Sequence, residues 1–473
     1  MRSANGRRCL SRTGFSLIAG CGLLLALLAA ICMGAAQTPA PQAGAAPRAP
    51  ATIIKVDVNQ VLVPVVVTDK HGHSVTGLGP GDFEVLEDGE QQRLTAFSTE
   101  NDLSGTTLKV ASAPGTLPAP SSAVIPQGAA RRSYIICLDT LNSSFGNLAG
   151  VIAALHKLFK KEEGSDSEYA LVALGRQPRV IRDLTRDPNE ILTALDNRDL
   201  IKALGLSEST NLAQQENELS TRLQEYCQRC PCAGQAAATG RTATGSDQVC
   251  AGMRSGLEVW AGAASEERSM LARNFLSDMR ELVENLARQP GKRALILISD
   301  GFNLRPGRDL FGMLALYFQM PSEELQNPGD SLHPAIDEMV RLATARDVTF
   351  YTLDSRGLYA SGAGVLDASE ELQLNRAGPI LLPQMQQQKD IISQENQDAM
   401  TELAVATGGV FYHNSNDLLK GLRQAITDGY EYYLLAYSST HKTPDGKFRE
   451  IRVDVKKKDV TVRAKRGYWA PAS

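Results

Sequence analysis

Tyr134-Ile135-Ile136-Cys137-Leu138-Asp139-Thr140-Leu141-Asn142-Ser143-Ser144 runs from five consecutive apolar residues, through an aspartate, into a short polar loop. A strand that is apolar at every position, and not at alternate ones, leaves no face for water. It belongs in a parallel sheet covered by helices on both sides. An aspartate where such a strand stops sits at its carboxyl end, the rim on which open α/β sheets gather their ligands.

Outward from this run the pattern repeats. Residues 148–159 have helical spacing, 169–174 form a second apolar strand and 179–184 a third. Pro188 opens a helix to about residue 203, with Asp187 as its N-cap. A long amphipathic helix is predicted over 266–286. The most apolar strand of the chain follows, Arg293-Ala294-Leu295-Ile296-Leu297-Ile298, and ends in Ser299-Asp300-Gly301. Residues 333–346 are helical, 348–353 form a strand ending in Asp354, and 400–406 close a helix on Thr407-Gly408-Gly409. A short strand at 410–412 and a helix at 417–427 complete the series. The expected fold is α/β over residues 131–428, with a doubly wound, mostly parallel sheet. An irregular, Cys-containing insertion at 205–262 and a Gln-rich insertion at 360–398 interrupt it. Asp139, Asp300 and Asp354 all stand at strand carboxyl ends, where they can converge.

On either side the pattern is β. Residues 53–68 are β-branched and partly alternating, and Phe83–Glu87 and Arg93–Phe97 flank Asp88-Gly89 as a hairpin. These form an N-terminal β domain over 53–100, joined onward by a flexible Gly/Ser/Pro-rich linker over 101–130. Strands at 430–437, 448–455 and 460–464 fill residues 429–473. They are expected to pack with the N-terminal β domain, so that the α/β domain is inserted between the two halves of an all-β one.

Residues 2–12 carry Arg2, Arg7, Arg8 and Arg12 without an acid, and 15–34 are apolar or small. A basic segment, an apolar segment and small residues at Gly34-Ala35-Ala36 describe a signal peptide over 1–36, followed by an Ala/Pro linker over 37–52. Retained, the same segment is a membrane anchor. Export places the chain in the periplasm, on the cell surface or in the medium. There Cys227, Cys230, Cys232 and Cys250 are candidates for two disulfides, with a zinc site as the alternative. Cys137, inside a strand, is a small core residue.

The loop after Asp139 offers oxygens at short spacing, and Asp300 supplies a second carboxylate. Hard cations such as Mg²⁺ or Ca²⁺ take such donors. Asp139 and Ser143, with Asp300 far along the chain, resemble the metal-ion-dependent adhesion site of the von Willebrand factor type A family, whose motif is Asp-x-Ser-x-Ser with a distant Thr and Asp. Thr210 stands where the distant threonine falls, with Thr242 and Thr244 as weaker candidates. Leu141 occupies the place of the first serine and cannot ligate. Further stretches are similar to an acidobacterial subgroup related to this family: Val61–Lys70, Val75–Leu78, Asp82–Val85, Tyr351–Leu358, Thr407–Gly409, Tyr432–Tyr437 and Arg466–Tyr468. The resemblance implies a Rossmann-like type A domain and an exported protein without a defined reaction.

The 473 residues carry a net charge of −4 and 5% aromatics, which supplies neither a basic field nor a stacking surface for nucleic acid. No G-x-S-x-G elbow and no phosphate-loop or dinucleotide fingerprint follows a strand. The expectation is therefore a non-enzymatic, adhesion-type module that grips an acidic group of a partner protein through a degenerate metal site. The alternative is a structural component of the cell envelope with a vestigial site. A membrane is involved only if the leader is retained.

Overall fold

A computed structural model describes residues 60–99, 131–161, 167–197, 209–232, 245–320, 331–357, 368–441 and 443–472, leaving out the side chains of 209–211, 213, 368–382, 385 and 389. The leader, the Ala/Pro linker and the linker at 101–130 lie outside these residues. Along the chain come β1 (Gln60–Asp69), β2 (Phe83–Glu87), β3 (Glu90–Gln92) and β4 (Leu94–Thr99), then β5 (Arg132–Asp139), α1 (Phe145–Phe159), β6 (Ser167–Leu174), β7 (Arg179–Thr185) and α2 (Pro188–Leu195). Next are α3 (Ser209–Arg229), α4 (Asp247–Leu286), β8 (Lys292–Ser299), α5 (Arg308–Phe318), α6 (His333–Ala345), β9 (Val348–Asp354), α7 (Ala368–Ala406), β10 (Phe411–Tyr412) and α8 (Leu418–Thr427). The last strands are β11 (Tyr433–Ser438), β12 (Phe448–Val455), β13 (Val460–Arg463) and β14 (Gly467–Trp469).

The central sheet has the order β10-β9-β8-β5-β6-β7. All its pairings are parallel except that of β7 with β6. Successive side chains of a strand point to opposite faces, and here both faces are core. Ile135, Cys137, Leu295 and Leu297 pack against α4, α6 and α7 through Phe275, Val340 and Leu403. Tyr134, Ile136, Ala294 and Ile296 pack against α1, α2 and α8 through Leu155, Ile191 and Leu422. Every residue of β5 is buried, which is why its sequence shows no alternation.

Strands from the two ends of the chain form two antiparallel sheets, β13-β1-β11-β4 and β14-β12-β2-β3. Their inner faces share Val63, Val65, Val85, Leu435, Tyr437 and Val453. The predicted hairpin at Asp88-Gly89 closes differently from expectation. Both turn residues take positive φ, 50° and 83°, but β2 pairs with the short β3, whereas β4 crosses to pair with β11. Glu87, at the end of β2, is fully shielded and accepts hydrogen bonds from Tyr437 Oη (2.6 Å), Tyr468 Oη (3.1 Å), His441 Nδ1 (3.0 Å) and Ser439 Oγ. Burial alone would raise its pKa, but these four donors outweigh it and hold the carboxyl below the usual glutamate range.

Both segments expected as insertions are helical among the described residues. Most of 205–262 lies in α3 and the first half of a 40-residue α4. The Cys227–Cys232 bridge closes the end of α3 on itself, and Cys230–Cys250 fastens that end to the start of α4. From residue 368 onward the Gln-rich stretch belongs to α7, 39 residues long, in keeping with glutamine's good helix propensity. Helix α5 also lay outside the sequence expectation. Among the described residues no helix is long and apolar enough to cross a membrane.

Replacing Glu87 by glutamine should destabilise the protein by about 2 kcal/mol, because buried donors lose an ionised acceptor. The lowered folded pKa means that the carboxylate's contribution is complete above the unfolded value near 4.5 and is lost as the pH falls below it. Denaturant titrations from pH 3 to 7 should show an acid limb in the wild type that is shallower in Glu87→Gln; equal limbs would refute the assignment. In the mature chain unfolded without reductant, a thiol reagent should label Cys137 alone, and reduction should expose four more thiols.

Candidate functional site

The strand order reverses between β5 and β8, neighbours in the sheet from which the chain winds outward in both directions. At such a switch point the loops beyond the strands diverge and leave a crevice. Asp139 ends β5 and Ser299 ends β8, so both predicted carboxylates, Asp139 and Asp300, lie on one rim at that point.

The Asp139 side chain is fully buried. Its Oδ1 accepts the backbone N–H of Leu141 (3.0 Å) and Asn142 (2.9 Å), which folds the loop back over the strand end. Its Oδ2 accepts Asn142 Nδ2 (2.9 Å) and Ser299 Oγ (2.5 Å). The loops then interlock in the other direction. Asp300 Oδ2 accepts the N–H of Ser144 (3.0 Å) and Asn147 Nδ2 (2.8 Å), while its Oδ1 accepts Ser355 Oγ. Ser143 Oγ accepts the N–H of Asp300 (3.1 Å), and Ser299 Oγ that of Gly301 (2.9 Å). Ser144 also caps α1 through the N–H of Asn147.

Burial pushes the Asp139 carboxyl up to about 6, opposed by the hydrogen bonds of Ser299 and Asn142 and assisted by the charge of Asp300. Asp300 is likewise raised by burial, opposed by Ser355, Ser144 and Asn147. Asp354, beside Ser299 in the register, is taken by Arg356 in a two-pronged pair of 2.9 and 2.7 Å. Asp354 is therefore the ion-pair partner of Arg356.

Asp139, Ser143 and Asp300 thus come together. Thr210 stands in the first turn of α3, and its side chain lies outside the described residues, as do Thr242 and Thr244. Leu141 is buried in the core with Ile135, Cys137 and Phe302. Thr140 Oγ1 faces the carbonyl of Leu174 at 3.2 Å. A hard divalent cation needs six or more oxygens directed at one point. Here every carboxylate oxygen of Asp139 and Asp300 already accepts a protein donor, and Leu141 offers none. Among the described residues no three His, Cys, Asp or Glu side chains gather as metal ligands do. As arranged, this donor set does not fit a bound cation. Ser299 and Asn147, which with Asn142 hold the carboxylates, were not expected from sequence; Ser144, the N-cap of α1, is the residue whose type signals the helix start here.

No protein-family model matches the chain, and no curated protein matches it. Solved structures similar to it include an aerotolerance-related membrane protein from Bacteroides fragilis, at 12% identity and a TM-score of 0.27 over 62% of this chain and 98% of that one. Another is BatB from Bacteroides thetaiotaomicron, at 13% identity and a TM-score of 0.26 over 63% and 98%. A third is the VWA domain of SpRpn10, at 11% identity and a TM-score of 0.18 over 52% and 82%. Likenesses of this size do not define a family.

A buried acid whose folded pKa lies above its unfolded value binds its proton more tightly in the native state. Its contribution to stability is therefore fullest below the unfolded value near 3.8 and declines as the pH rises through about 6. Asp139→Ala should accordingly cost more stability at pH 4.5 than at pH 7. Paired denaturation curves at the two values check this, and a pH-independent difference would contradict it.

Proposed function

We propose that the protein is an exported, non-catalytic module of the von Willebrand type A kind that binds a partner protein at the rim around Asp139 and Asp300. The observation that carries this reading is the coincidence of the sheet's switch point with two interlocked strand-end loops. They make a rigid polar platform where open α/β sheets hold their ligands. Exposed Phe145 stands beside it at the start of α1 and offers an apolar anchor. We read the two antiparallel sheets as one all-β domain carrying this module, within the acidobacterial subgroup that the sequence resembles. Export rests on residues 1–36, and the absence of a reaction rests on a sequence without a nucleophile elbow or phosphate loop.

Asp139, Ser143, Thr210 and Asp300 are then a degenerate adhesion site. Hydrogen bonds from Ser299, Asn142 and Asn147 do the work assigned to Mg²⁺ or Ca²⁺ in an intact one. A second reading, a structural component of the envelope with a vestigial site, is favoured by Leu141, whose burial turns the loop toward the core and away from ligand.

Two measurements separate the readings. Titrating the mature protein with Mg²⁺, Ca²⁺ or Mn²⁺ to millimolar concentration should leave Tm unchanged. A rise that vanishes in both Asp139→Ala and Asp300→Ala would restore cation-dependent adhesion. A photo-crosslinking residue placed at Phe145 should give an adduct with an envelope protein that excess unlabelled wild type removes and Asp300→Ala protein does not. The same probe at Val259, exposed on α4, should give none. Absence of a competed adduct at Phe145 leaves only the structural reading.

A further inference from the structure

The rim opposite Asp139, at the amino ends of β8 and β9, contains a cavity of about 20 Å³ lined by Lys292, Thr344, Asp347, Thr349, Thr407 and Lys465. Val66 of β1 borders it on the side of the antiparallel sheet. Its walls are brought close by the Thr407-Gly408-Gly409 turn. Gly408 has φ +87°, and a side chain there would meet the backbone of Lys465 at 2.9 Å; at Gly409 a Cβ would strike the carbonyl oxygen of Phe350. Only glycines permit so close an approach of two chain segments.

The charges around this cavity do not cancel. Lys465 Nζ is paired with Asp347 at 2.8 Å, and Asp428 with Arg463 at 2.9 Å. Lys292 Nζ has the Thr349 hydroxyl at 3.3 Å and the Tyr432 ring at 5.4 Å. Among the described residues no carboxylate lies within ion-pair distance of it. Thr344 is 4% exposed, and its Oγ1 has no hydrogen-bond partner. The Thr407 hydroxyl is engaged with the N–H of Phe350 and the carbonyl of Leu403. One cation without an ion-pair partner and one unused hydroxyl donor therefore line the same small cavity.

We propose that this cavity binds one small monovalent anion, of the size and charge of chloride, through Lys292 Nζ and the hydroxyls of Thr344 and Thr349. Charge-assisted donors converging on a recessed point are the chemistry that captures such an ion. Burial lowers the Lys292 ammonium to about 8 despite the through-space pull of Asp428 and Asp347, and an adjacent anion reverses that penalty. The ion would tie the amino end of the parallel sheet to β1 and to the segment after β13. This inference is independent of the function assigned to the Asp139 rim.

The test is the Tm of the full mature chain in sodium chloride, sodium bromide and sodium gluconate at equal ionic strength, gluconate being too large for the cavity. Chloride and bromide should each raise Tm by about 2 °C over gluconate. Lys292→Met and Thr344→Val should each lose the increment. Should Lys292→Met not fold, Thr344→Val alone, with one atom group replaced, carries the comparison. Bromide-soaked crystals should show an anomalous peak beside Lys292 Nζ. Equal Tm in all three salts, an increment kept in Thr344→Val, or a water in place of the bromide peak would each overturn the proposal.

Discussion

With all eight residues of β5 and six of the eight in β8 buried, helices press on both faces of the central sheet, and polar groups are driven to the strand ends. A parallel sheet has two such ends, and they differ. At the carboxyl end the strands deliver aspartates, which the following loops wrap with N–H and hydroxyl donors. At the amino end they begin with Lys292 and Val348, where a cation meets hydroxyls. Each rim bears the charge that its neighbouring backbone and side chains leave to be answered, so the chemistry of both follows from one packing requirement.

Within the carboxyl rim a single residue alters the balance. Leu141 cannot donate an oxygen, but its burial among Ile135, Cys137 and Phe302 anchors the loop in the core. The loop can then be held by Asp139 from above and by apolar contact from below. The carboxylates remain fully hydrogen-bonded, which is how buried acids keep their desolvation penalty tolerable.

The apolar runs made the parallel sheet legible, because a strand shielded on both sides announces itself without alternation. The aspartates that follow β5 and β8 made the rim legible for the same reason. Partner choice among the antiparallel strands was not, since alternation in Leu94–Thr99 reports a half-buried strand but not which sheet receives it. Asp88-Gly89 specified a turn, while the crossing of β4 to β11 was set by long-range packing. Cysteine spacing pointed to bridges and concealed the helix ends on which they lie. Ser299 and Ser355 resembled ordinary strand-end residues; their roles exist only once loops distant in sequence meet.

The pairing of β1 with β11, and the contact of Glu87 with a tyrosine 350 residues away, bear on how the molecule comes into being. β1 has no strand partner, and β2 only the short β3, until almost the whole polypeptide has been made. Local helices and the β5–β6 pair can assemble early, but valine-rich β1 must wait with both edges uncovered, and β2 with the edge that β12 takes. Acquisition of the final state is thus governed by the last strands to arrive, and a chaperone that shields the first ones would find its task defined by that delay.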